Sequence, residues 1–319
     1  HHRDLHLSIR RQRQMCIRDS SEAITGFSSD DDVTVQNGSL AAMSSGDNIT
    51  WTGTFTPSSS VEDTSNILTL ATTYTDLAGN AGPSATTANY SIDTTRPTVS
   101  SFILADTDLD AGETTTVTLV FSEAVTSFNS GDDITVQNGS LTTMSSSDNI
   151  TWTGTFTPTT DTEESSNAMV IDTSFTDSDG NAMASAFTSS NYSIDTKAPT
   201  VIILSDTVSD GSASNDGYIQ LTFTFHESVS DFVQGDLTVS GGVISDFTGS
   251  GTSYTANFTP TVKLVDTTID ISTSKFTDAA GNVNTAPATQ FNWTYDGEKP
   301  IICLLYTSPS PRDQRGSRR

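Results

Sequence analysis

The stretch WTGTFTP at residues 51–57 recurs unchanged at 152–158 and returns as YTANFTP at 254–260. Within it, Trp152, Gly154 and Phe156 fall on one side of an extended chain and the threonines on the other. Period-two alternation of this kind marks a β-strand with one buried face. Other landmarks keep the same step. FSEAVTSF at 121–128 returns as FHESVSDF at 225–232, and TDLAGN at 75–80 has counterparts beginning at Thr176 and Thr277. The step is 101 residues from Trp51 to Trp152, 102 from Tyr90 to Tyr192 and 104 from Phe121 to Phe225. Solenoid units of roughly 20 to 50 residues cannot bury a core alone. A unit of about a hundred residues can, so each copy is expected to fold as a domain.

The two ends do not share this composition. Residues 1–20 and 303–319 are rich in arginine and poor in threonine, and RRQRQMCIRDS at 10–20 and CLLYTSPSPRD at 303–313 resemble translated sequencing-library adapter. They are set aside from the fold as expected disordered ends. The exclusion alters the global numbers. The whole chain carries 39 acids, 14 Lys and Arg and a net charge of -25, whereas residues 21–302 hold 36 acids and 5 bases, a net of -31. Cys16 and Cys303 are the two cysteines, both in the ends, so the repeats offer neither a disulfide nor a thiol ligand or nucleophile.

Between the ends, strand signals alternate with turn signals. Val117, Leu119 and Phe121 alternate with polar residues, as do Ile219, Leu221, Phe223 and Phe225, while Met169, Ile171, Thr173 and Phe175 share a face. No stretch has a helical apolar period. About seven short strands per hundred residues predict a two-sheet antiparallel sandwich of immunoglobulin type, here without inter-sheet cysteines. The fold class is therefore all-β, as tandem sandwiches. The third copy has one extra residue in IDISTSKFTD, which opposes the parity of Ile269 and Ile271 to that of Phe276 and predicts a β-bulge. Expected domains are a truncated repeat at 21–98 lacking its first two strands, and complete repeats at 99–200 and 201–302. The joints TTRPT at 94–98 and TKAPT at 196–200 are short and carry proline, which favours stiff extended connectors.

Taken in order, FSEAVTSF, DITVQNGSL, WTGTFTP, FTDSDGN and IDTKAPTV resemble the bacterial immunoglobulin-like repeats of large surface adhesins and biofilm proteins, over essentially all of 21–300. The resemblance implies a tandem array outside the cell or on its surface. It names no ligand.

The acids cluster in DTDLDAGE (Asp106, Asp108, Asp110), at Asp30–Asp32, and at Asp206, Asp210 and Asp216. Oxygen ligands on loops suit calcium, which takes roughly six to eight of them. Immunoglobulin topology sorts loops to two poles, and this defines two candidate ligand sets. One joint would gather Asp93, Glu123, Asp177 and Asp179. The next would gather Asp106, Asp108 and Asp110 with Asp195, Glu227 and Asp278. TDSDGN also reads more simply as a hairpin turn, with Gly180 and Asn181 accepting left-handed geometry. DTDLDAGE lacks the central glycine and distal glutamate of an EF-hand loop.

Catalysis finds little support. His226 is a lone histidine in 21–302, with no cysteine or signature serine motif beside it, so no enzyme is expected. Trp51, Trp152 and Trp293 share parity with Phe55, Phe156 and Phe291, which argues for core rather than a sugar platform. Nucleic acid repels so acidic a chain, and no membrane insertion is expected of this segment. The reading is a non-catalytic stalk whose partners are neighbouring repeats and calcium, with a host or matrix glycan met through other domains of the protein. The alternative is a glycan-binding or accessory module of a secreted multidomain enzyme.

Overall fold

A computed structural model describes residues 20–302 in full and the backbone of residues 13–17; the remaining residues of the two ends lie outside the described part. The chain divides into two compact units at Asp195 and Thr196. The first holds repeats one and two, and the second holds repeat three.

Repeat two is a complete sandwich. Its first sheet runs in the order Val99–Leu104, Thr115–Phe121, Thr151–Pro158, Gly139–Leu141. Facing it, Tyr192–Asp195 lies between Asp108–Asp110, to which it runs parallel, and Glu163–Asn167, while Met169–Ile171 pairs with Ile134–Val136 and Phe187–Thr188. A first strand that pairs antiparallel in one sheet and then crosses to lie parallel to the last strand of the other gives an immunoglobulin-type arrangement. The alternation read from the sequence supplies the core. Val117, Leu119, Phe156, Met169 and Ile171 are fully buried, in one cluster with Phe121, Phe128, Phe175 and Tyr192. Gly154 sits within this pattern because a Cβ there would stand 2.9 Å from Met144 Cγ. Burying large aliphatic and aromatic side chains contributes about 1.5–3 kcal/mol each, which lets the domain hold together without disulfides.

Repeat three repeats the plan in the second unit. Val201–Ser205, Ile219–Val229 and Gly242–Pro260 form one sheet, and Ser212–Ser214, Phe291–Asp296, Leu264–Ile271 and Leu237–Ser240 the other. The expected bulge between Ile269 and Phe276 does not form. Leu264–Ile271 keeps unbroken register with both neighbours, and the extra residue is absorbed after the strand, where Ser274 takes a φ of 58°. Bulges occur elsewhere, at Glu164/Asn167 and at Tyr90/Ile92. At each, a buried asparagine ties the irregular backbone together. Asn167 Nδ2 donates to Glu164 O (2.9 Å) and Tyr192 O (3.1 Å), and Asn167 Oδ1 accepts from Asn138 (2.6 Å). Repeat three has Thr267 at this place and no bulge.

Among the described residues, the buried cluster of repeat one holds Val33, Phe55, Leu68, Tyr90 and Ile92. The expectation that residues 1–20 add no structure, and that two strands are missing, is corrected in one respect. Arg13–Ile17 forms a strand antiparallel to Trp51–Pro57, with Arg13 opposite Phe55 and Ile17 opposite Trp51. This is the register in which Thr115 opposes Phe156 and Leu119 opposes Trp152. An unpaired inner strand exposes backbone donors and acceptors, and any extended segment can satisfy them.

The run Asp30–Asp32 ends a four-residue helix, and its buried member Asp32 is engaged in that helix. Asp32 Oδ2 accepts the Ser28 N–H (2.8 Å), and Asp133 does the same for Asn129 in repeat two (2.7 Å). Unsatisfied amides at a helix start favour such acceptors.

Candidate metal centre at the first joint

The joint between repeats one and two lies inside the first unit. Asp93 ends the Tyr90–Asp93 strand of repeat one, Glu123 follows the Thr115–Phe121 strand of repeat two, and Asp177 opens the TDSDGN turn. One ligand oxygen from each lies within 4.8 Å of the others. The connector fixes this approach. Asp93 accepts the Thr95 N–H (3.0 Å), Pro97 is buried, and Asn181 Nδ2 reaches from repeat two to Asp93 O (3.2 Å).

Asp177 is 2% exposed and organises its own turn. Its Oδ1 accepts the N–H groups of Asp179 (2.8 Å) and Asn181 (2.9 Å), and its Oδ2 accepts Asn181 Nδ2 (2.8 Å). Of the two residues expected to be left-handed, only Gly180 takes a positive φ, 89°. Asn181 acts through its side chain instead. The turn and ligand readings of this segment are therefore compatible, since a carboxylate has roughly four lone-pair sites and the turn uses three.

The electrostatics are those of crowded anions. Burial first, then the charges of Asp93, Asp177, Glu62 and Asp179, push the Glu123 carboxyl up to about 7. Burial also raises Asp93, with Asp177, Asp179 and Glu62 adding to the effect. Like charges held together in partial burial disfavour ionisation unless a cation compensates. A set of hard oxygen donors with no sulfur or imidazole fits a calcium-type ion.

Asp179 stands outside the close trio but within its field. Glu62 was missed by the sequence reading. It lies beside Asp93 in the sheet, in register with it, and raises both Glu123 and Asp93. A signal was present, since Glu62 recurs as Glu163 beside Asp195.

The second predicted set is distributed differently. Asp108 and Asp110 were expected on a loop and are instead strand residues parallel to Tyr192–Asp195, because Leu109 between them is 1% exposed and anchors the segment. The Asp108 carboxylate accepts the Ser193 hydroxyl, and Asp106 Oδ1 accepts the Asp108 N–H (3.2 Å). Asp110 and Asp195 are in register at the end of this sheet. In the second unit, Glu227 and Asp278 bring oxygens within 4.8 Å of each other. Asp278 holds the equivalent turn through Asn282 (2.8 and 3.0 Å).

His226 is braced rather than poised. Its Nδ1 accepts the Thr200 N–H (3.0 Å), so Nε2 carries the proton that faces Glu227 Oε1 at 2.7 Å. Trp293 is buried, and Trp51 and Trp152 pack edge-on against Phe27 and Phe128 at 4.8 and 4.9 Å.

The sequence pattern of the bacterial Ig-like domain matches three times, over residues 6–92, 93–194 and 195–295. The chain belongs to the bacterial Ig-like domain family. No curated protein matches it. Among solved structures it is similar to the Escherichia coli adhesin FdeC, at 14% identity over 88% of this chain and 96% of that one, with a TM-score of 0.32. It is also similar to invasin, described as a bacterial integrin-binding protein, at 15% identity over 81% and 56% with a TM-score of 0.30. The I9–I11 tandem of titin is similar at 7% identity over 90% and 92%, with a TM-score of 0.29. Among the described residues of this bacterial Ig-like chain, no helix is long and apolar enough to cross a membrane.

Proposed function

We propose that this tandem of bacterial Ig-like domains is a non-catalytic spacer segment of a surface-attached or secreted adhesin, and that calcium stiffens the joint between its first two repeats. The convergence of Asp93, Glu123 and Asp177 from two adjacent repeats carries the reading. Asp93, Glu123 and Asp177 would hold the ion, with Glu62 and Asp179 strengthening its field. The ion supplies charge neutralisation and a rigid cross-link. Three carboxylates drawn from both sides of a joint resist bending only when their mutual repulsion is cancelled.

Sites of extracellular modules bind calcium at about 0.1–1 mM, so the joint would be stiff outside a cell and looser under chelation. Small-angle scattering of the intact chain, with calcium and with chelator, tests this. A longer maximum dimension with calcium is expected, and identical profiles would overturn the calcium part of the proposal.

A further inference from the structure

The heptapeptide TVQNGSL occurs at residues 34–40 and again at 135–141. In repeat two its Asn138 takes a left-handed φ of 49° and leads into the strand Gly139–Leu141. The core requires the glycine: a Cβ on Gly139 would stand 2.2 Å from the buried Phe156 ring and 2.7 Å from Thr157 O. Asparagine tolerates the left-handed turn, and its side chain has a second task. Asn138 Nδ2 donates to Asn167 Oδ1 at 2.6 Å, completing the hydrogen bonds that tie the Glu164/Asn167 bulge. Repeat one has the same pair, with Asn37 Nδ2 donating to Asn66 Oδ1 at 2.7 Å. Repeat three keeps the glycine, since a Cβ on Gly242 would stand 2.3 Å from the Phe258 ring, but has Gly241 and Thr267 in place of the two asparagines. Across the three repeats the two asparagines are present together or absent together.

This arrangement puts a labile linkage on the surface. Asn138 is exposed, and the residue after it has no Cβ to shield the side-chain carbonyl from the backbone nitrogen once the turn opens. Gly139 N then attacks Asn138 Cγ. The N–Cγ bond forms, the Cγ–Nδ2 bond breaks, and ammonia leaves with the Gly139 amide proton. Water opens the resulting imide ring at either carbonyl, giving aspartate or isoaspartate, so one water is consumed and one ammonia released. Either product spoils the contact with Asn167. An aspartate oxygen would meet Asn167 Oδ1 with no proton between them. Asn167 cannot turn over to help, because its Nδ2 donates to Glu164 O (2.9 Å) and Tyr192 O (3.1 Å) in a place 1% exposed. Isoaspartate adds a backbone carbon immediately before Gly139, which stands opposite Pro158 in the sheet.

We propose that Asn138–Gly139 is a site of spontaneous deamidation in the folded chain, and that the reaction releases the clamp on the Glu164/Asn167 bulge, so that repeat two loosens with age. The intact chain, held folded in mildly alkaline buffer, is expected to gain one mass unit in the peptide spanning 138–139, located at Asn138 by fragment spectra. Asn138→Gly, the residue repeat three has there, should remove the gain. A peptide that stays unmodified in the folded chain, over a period that converts it fully in urea, would overturn the site. The consequence is read separately in Asn138→Asp, labelled with nitrogen-15. The indole signal of Trp152, assigned by its loss in Trp152→Phe, should leave its folded position at a urea concentration about 1 M lower than in the parent chain. An unshifted midpoint would overturn the link between the modification and the bulge.

Discussion

The Glu123 carboxylate lies within 4.8 Å of that of Asp93, although the two belong to different repeats and carry the same charge. Each is partly buried, and burial first, then the surrounding carboxylates, pushes each carboxyl upward. Folding alone brings these groups together, against their repulsion, because the connector is held by hydrogen bonds such as Asn181 Nδ2 to Asp93 O (3.2 Å) and by the buried Pro97.

Stability of the metal-free first unit should fall as pH rises. Glu123 titrates at about 7 in the folded chain against an ordinary value of 4.5, so the folded state binds more protons across that window. Protonation therefore favours folding below about 4.5, and the advantage is lost as pH climbs to about 7. Denaturation in chelator at pH 5 and pH 8 should give a higher midpoint at pH 5, and the difference should shrink in Glu123→Gln. A flat profile would contradict the raised carboxyl.

Calcium affinity should drop roughly tenfold or more in Glu123→Gln, the loss expected when a liganding carboxylate becomes neutral. The same change should stabilise the metal-free protein at pH 8 by removing repulsion. Calorimetric titration with calcium, paired with melting in chelator, reads both effects. Loss of stability in both conditions would assign Glu123 a packing role instead.

The turn carboxylate in repeat three should matter for folding. Asp278→Ala removes the carboxylate that accepts from the Asn282 backbone (2.8 Å) and side chain (3.0 Å) in a place 3% exposed, a loss of about 1–3 kcal/mol. The equivalent Asp76→Ala in repeat one should cost less, because Asp76 is only partly buried and water can replace its contacts. Urea unfolding of the two variants, compared with the parent chain, separates these outcomes.

Asn167→Ala should destabilise repeat two by about 2–3 kcal/mol, since Asn138 Nδ2, Glu164 O and Tyr192 O all lose a partner in a site 1% exposed. Loss of the Trp152 emission change at lower urea is the expected reading. An unshifted midpoint would show that water enters and satisfies the bulge.

Much of this was legible in the chain itself. The recurrence of WTGTFTP set the number of repeats, and the parity of Val117, Leu119 and Phe156 placed the core face, because a strand's side chains alternate whatever surrounds it. Asp93, Glu123 and Asp177 could be nominated from pole topology, since immunoglobulin connectivity fixes which loops share an end. Pole topology passed over Glu62, because its role comes from sheet register with Asp93 rather than from a loop; only its recurrence as Glu163 pointed to it. DTDLDAGE misled for the opposite reason: one buried leucine turns an acidic loop into a strand. Sequence by itself determined the periodicity, the all-β class and the acidity, all of which depend on local spacing and composition. Tertiary structure decided which carboxylates meet and which turn absorbs an inserted residue, because those outcomes depend on distances between residues far apart along the chain.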